Sequence, residues 1–143
     1  VRIVLAVAGL LFSFAAIAAE NPARVTVLED DNLGLNIVAA SQRENVAPAD
    51  PRVKQAQAWL DRTTAVTGED GKAVAAACER TSRWFFDATR HRATPLEMLE
   101  ALALLAKSGT PMQDTLRDYI QARRAAAGKS HAEALAAMGV ASR

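Results

Sequence analysis

The sequence predicts an all-α protein: a small antiparallel bundle of four main helices plus a short C-terminal helix. A signal peptide and a weakly structured N-terminal arm or hairpin precede it. Three observations point there. Alanine, which loses no side-chain entropy in a helix, recurs densely, as across Ala73–Ala77 and Ala125–Ala127. Only seven Gly and five Pro interrupt 143 residues, so long stretches carry no breaker. Where breakers occur, they sit beside capping residues and read as helix punctuation. The chain is 50% hydrophobic and 23% charged, which is globular composition and excludes a disordered chain.

Residues 1–18 read as a signal peptide. Arg2 is followed by the uncharged run Ile3–Ala19, and Ala16-Ile17-Ala18 matches the small-x-small pattern of a cleavage site. The alternative is an inner-membrane anchor through residues 3–19, at the lower limit of a bilayer span. No cysteine follows the run, so a lipid anchor is not expected. Cleavage after Ala18 implies a periplasmic or secreted chain with no stable membrane span. Loss of Arg2 leaves equal numbers of basic and acidic residues, and such a neutral chain is not expected to bind nucleic acid.

Residues 19–49 form the arm. Arg24–Leu28 and Leu33–Ile37 each alternate weakly around Glu29-Asp30-Asp31-Asn32, which suggests a small hairpin, and Ser41–Ala49 reads as a linker. The bundle occupies 50–143. Asp50-Pro51 is an N-cap followed by proline at the first helical position, and Gly68 can close that helix. A second helix opens near Asp70 and runs to about His91. Thr94-Pro95-Leu96-Glu97 is a capping box closed by Ser108-Gly109. Thr110-Pro111 opens the next helix, which Gly128 can end. Ser130-His131-Ala132-Glu133 begins the last and shortest.

The periodicity assigns each helix a buried face. The first buries Val53, Ala56, Trp59, Leu60, Thr63 and Val66. The second buries Val74, Ala77, Cys78, Thr81, Trp84, Phe85 and Ala88. The third is apolar over more than half its circumference, which marks a central helix. The fourth presents Met112, Leu116, Tyr119 and Ile120.

No motif with a known mechanism is present: no glycine-rich phosphate loop, H-E-x-x-H, C-x-x-C or G-x-S-x-G. Hence no catalytic residue, metal ligand or cofactor is predicted. Cys78 and His91 lie roughly 140° apart around one helix and cannot act together there. Cys78 falls within an apolar stripe and reads as a buried, inert thiol. Glu97 and Glu100 share a face, but Glu97 is explained by its cap, and the Glu-x-x-His pairs of a di-metal bundle are missing.

Four residues remain as candidates for binding a partner: Arg83, Phe86, Arg90 and Arg123. Phe86 projects away from the main stripe, among Arg80, Arg83, Arg90 and Arg92. The competing expectation is a solvated ladder of alternating charge along Glu79, Arg83, Asp87 and His91. Arg123 interrupts the apolar stripe of the fourth helix. The short turn at Ser108-Gly109-Thr110 folds the third and fourth helices back on each other, which brings Arg123 level with Glu97. An Arg123–Glu97 contact is therefore expected.

These readings favour an exported, non-enzymatic binding or assembly factor whose partner is another protein of the bacterial envelope. The alternative is a small periplasmic enzyme or ligand-binding domain with its pocket between helices.

Overall fold

A computed structural model describes residues 32–125 and 130–141. The expected signal peptide, and the first strand of the expected hairpin, lie outside these residues. Six helices follow in order: α1 (Leu33–Gln42), α2 (Pro51–Thr67), α3 (Gly71–Thr89), α4 (Pro95–Leu105), α5 (Met112–Ala125) and α6 (His131–Ala137). The described residues are all-helical, as the composition predicts, with one helix more than expected among them.

The additional helix is α1, where the second strand of a hairpin was expected. Asn32 caps it by accepting the Leu35 N–H through its side chain. Its buried residues Gly34, Ile37, Val38 and Ser41 fall at helical spacing. The alternation of Leu33, Leu35 and Ile37 is incidental, because Leu33 and Leu35 are only partly buried while Ile37 and Val38 are fully enclosed. Gly34 explains the tight seat. A Cβ there would stand 3.0 Å from the Val53 carbonyl oxygen and 3.2 Å from the Gln57 amide nitrogen, so α1 lies directly against the α2 backbone. The core thus includes residues ahead of position 50.

The punctuation read from the sequence operates as local chemistry. Asp50 accepts the Arg52 N–H, and Asp70 accepts the Ala73 N–H. Thr94 with Glu97, and Ser130 with Glu133, form reciprocal capping boxes. Gly68, at φ 74°, closes α2 in the left-handed conformation that costs glycine nothing.

Helix α4 is central, as its narrow polar edge predicts, and packs on α1, α2, α3 and α5. Its Met98, Leu99 and Leu102 are wholly buried with Leu60, Val74 and Tyr119. Each such leucine contributes about 2 kcal/mol on leaving water. One assigned face needs correction: Trp84 is 51% exposed, and Ala88 is exposed too. Helix α3 buries Val74, Ala77, Cys78 and Phe85, and among the described residues nothing covers the flank bearing Trp84.

Three long-range hydrogen bonds bring the end of α1, the last turns of α3 and the start of α4 together. The Ser41 hydroxyl oxygen accepts the Leu96 N–H at 2.9 Å. The Arg92 guanidinium donates to the Ser41 carbonyl, and the Ser82 hydroxyl donates to the Ala93 carbonyl. Ser82, Arg92 and Ala93, which take part in these bonds, also line a cleft.

Candidate functional site

Between α1, α3 and the α3–α4 turn lies a cleft of about 320 Å³ whose lining includes Arg43, Glu79, Ser82, Arg83, Phe86 and Arg92. Arg43 arrives from the end of α1, Arg83 and Phe86 from α3, and Arg92 from the turn. Three arginines thus share the lining with one carboxylate residue, Glu79. Among the described residues, neither Arg43 nor Arg83 forms an ion pair. Arg92 is oriented by its bond to Ser41 and keeps further N–H donors. Phe86 is 41% exposed, with the Arg90 guanidinium 5.9 Å from its ring centroid.

The backbone under two of these arginines is unusual. Arg43 and Arg90 both follow a helix C-terminus with positive φ, 57° and 60°. They are the only non-glycine residues in that region among the described residues. A side chain there costs about 1 kcal/mol relative to glycine. Both bring a guanidinium to the cleft or to its aromatic wall.

Of the four candidate residues, the structure gathers three around this cleft: Arg83, Phe86 and Arg90. The ladder of charge expected along α3 does not form, since Glu79, Arg83, Asp87 and His91 make no ion pair among the described residues. The fourth candidate, Arg123, is turned inward and 9% exposed. Its guanidinium lies 3.6 Å from Glu97, donates to the Tyr119 hydroxyl oxygen at 3.2 Å and to the Arg92 carbonyl at 3.1 Å, and sits over Phe85. The expected Arg123–Glu97 contact is present, and with its donors used internally Arg123 leaves the candidate surface.

Arg123 belongs to a second, enclosed polar group. Tyr119 Oη lies 2.7 Å from His131 Nδ1, and His131 Nε2 lies 2.8 Å from Glu100. The pattern is satisfied when Nε2–H donates to the carboxylate and the tyrosine hydroxyl donates to Nδ1, while its oxygen accepts from Arg123. Burial, ahead of any charge effect, pushes the Tyr119 hydroxyl well above its ordinary pKa, so it stays protonated. Both ring nitrogens of His131 are thus engaged within the network. The network fastens α6 to α4 and α5.

Next to it lies a cleft of about 620 Å³ with Trp59, Arg62, Leu104 and Leu135 in its lining, together with Glu100 and His131. Three charged or titratable groups do converge here, but each is already bonded. Arg62 Nε donates to the Ala103 carbonyl, and Glu100 accepts from His131.

Cys78 is fully buried, and burial pushes its thiol up to about 12, with Glu79 adding a smaller push in the same direction. A thiol so placed is not a nucleophile at neutral pH. Among the described residues, no group of three or more His, Cys, Asp or Glu is placed to hold a metal ion. No helix among them is long and apolar enough to cross a membrane.

The sequence reading missed Arg43 at the cleft and the joining of Glu100, Tyr119 and His131. No local signal marks either: Tyr119 and Glu100 stand 12 and 31 positions from His131, and Arg43 meets α3 and the α3–α4 turn only through packing. The arginine cleft is therefore recognised from its own geometry: the chain matches no family model, no curated protein and no solved structure.

Proposed function

We propose that this chain is an exported, non-enzymatic binding or assembly factor of the bacterial envelope, and that it docks another protein through the arginine cleft. One observation carries the reading: Arg43, Arg83 and Arg92 line one cleft with a half-exposed phenylalanine and a single carboxylate, Glu79. Like charges gathered in a cleft repel unless an anion joins them, and arginine beside an aromatic ring is typical of residues that anchor interfaces. Left-handed backbone at Arg43 and Arg90, where glycine is favoured, fits side chains retained for contact. Export rests on the leader-like residues 1–18.

Purification of the tagged full chain from envelope extracts, beside an Arg83→Ala/Phe86→Ala variant, tests the docking. Both side chains are exposed, so the variant retains the fold. A protein recovered with the wild type and lost with the variant is the expected result. Equal recovery with both would refute docking at this cleft. N-terminal sequencing of the same material tests export, and an intact leader in washed membranes would establish the anchor instead.

The cleft beside Trp59 favours a second reading, a small-ligand-binding domain. Exposed Leu104 and half-buried Trp59 offer an apolar wall, and Arg62 offers an anionic group its remaining donors. Quenching of tryptophan fluorescence by an amphiphilic acid, lost in Trp59→Leu, is its test.

A further inference from the structure

Resting on the docking reading above, we infer that the arginine cleft recognises a carboxylate-rich peptide segment of its partner. The class of ligand follows from which donors remain. A phosphate is usually cradled by backbone amides at a helix N-terminus, and α4 begins beside this cleft with Pro95 in its lining. Its leading amides are already spent. The Thr94 N–H donates to Glu97 at 2.7 Å, the Leu96 N–H to Ser41 at 2.9 Å and the Glu97 N–H to Thr94 at 3.2 Å. The Ser82 hydroxyl is likewise taken by the Ala93 carbonyl. What remains is guanidinium, whose planar fork matches a carboxylate with two parallel bonds.

The negative features of the cleft narrow the ligand further. Glu79 shares the lining, and the last carbonyls of α1, which end there, carry partial negative charge. A compact dianion would meet both. A peptide spreads single charges along its length and brings backbone N–H groups for Glu79 to accept. The Phe86 ring supplies a wall for aliphatic stems between the charges. The volume, at the small end of ligand clefts, suits a short extended segment. Four guanidiniums, counting Arg90 over Phe86, on a chain of net charge +1 also fall short of the extended basic field that nucleic acid or an anionic membrane requires.

The test is a titration of the isotope-labelled chain, followed by amide NMR at low ionic strength, with an oligoglutamate peptide as probe. Inorganic phosphate and vesicles containing phosphatidylglycerol are the other arms. The expected result is saturable shifts at Arg43, Arg83 and Phe86 with oligoglutamate. Binding should weaken about tenfold in Arg43→Ala and in Arg83→Ala, the loss expected for one charge-assisted contact. Arg117→Ala, which removes an exposed arginine paired on α5, should bind as the wild type does. Shifts at the cleft with phosphate or vesicles but not with oligoglutamate would overturn the ligand class while leaving a working anion site. Oligoglutamate binding that ignores Arg43 and Arg83 would overturn the inference, as would no binding at all. Neither result would touch docking, which the co-purification tests separately.

Discussion

Replacing Arg123 with alanine removes a side chain that does five things at once, and their sum can be measured. The Arg92 carbonyl loses its donor in a partly buried position, which costs about 1 kcal/mol or somewhat more. The ion pair with Glu97 contributes about 1 kcal/mol. Arg123 is enclosed, but the Glu97 side chain is 30% exposed and partly screened by water. The guanidinium over Phe85 adds about 0.5 to 1 kcal/mol, and the vacated aliphatic stem about as much again. Tyr119 keeps its bond to His131, so no further group is orphaned. The expected loss is therefore about 3 to 4 kcal/mol, within the range for breaking one side of a buried pair. Urea unfolding of Arg123→Ala, Glu97→Gln and the double variant gives the loss and the coupling. Glutamine can still accept the Thr94 N–H, so Glu97→Gln isolates the charge. Coupling near 1 kcal/mol is expected. A loss below about 1 kcal/mol for Arg123→Ala, or no coupling, would refute the assignment of Arg123 to the core.

Three further outcomes follow from the same geometry. Cys78 should react slowly with a thiol reagent in the native protein and quickly in urea, and rapid native labelling or a reducible dimer from cells would contradict its burial. The hydrogen bonds from the Arg52 side chain and backbone hold Asp50 near pKa 2, below the ordinary 3.8, so its contribution to the α2 cap is complete above pH 4 and is lost as pH falls through 2. A carboxyl NMR titration should find that midpoint, and Arg52→Ala, which keeps the backbone donor, should return it part of the way toward 3.8; an unchanged midpoint in the variant would exclude the Arg52 side chain as a cause. Gly34→Ala should lower stability by about 1 to 3 kcal/mol, because the added methyl meets α2 backbone that cannot rotate aside, and an unchanged urea midpoint would show that α1 is not seated as described.

Much of the fold was legible because its signals are local. Asp50-Pro51, Thr94 with Glu97, and Ser130 with Glu133 each cap the helix they were read to open. The Arg123–Glu97 contact could be foreseen because one tight turn, with Gly109 at φ 81°, fixes the register of α4 against α5. Helix α1 was misread because Gly34 lacks an apolar side chain. Its burial comes from backbone approach, which hydrophobic periodicity does not register, and that left the alternation of Leu33, Leu35 and Ile37 as the visible pattern. Trp84 differs for the converse reason: it lies on the apolar stripe of α3, but no helix among the described residues covers that flank. At the cleft, the unusual density of arginine around Phe86 was visible, whereas the meeting of Arg43 with Arg83 depends on where α1 docks.

The most direct test of the central claim is photo-crosslinking in living cells from a benzoylphenylalanine placed at Phe86, compared with one placed at Arg117. Position 86 forms a wall of the arginine cleft, and position 117 lies exposed on α5. The account predicts a discrete protein adduct from position 86 that disappears when Arg43 and Arg83 are both alanine, and none from position 117. No adduct from position 86, or one that survives loss of both arginines, would contradict it.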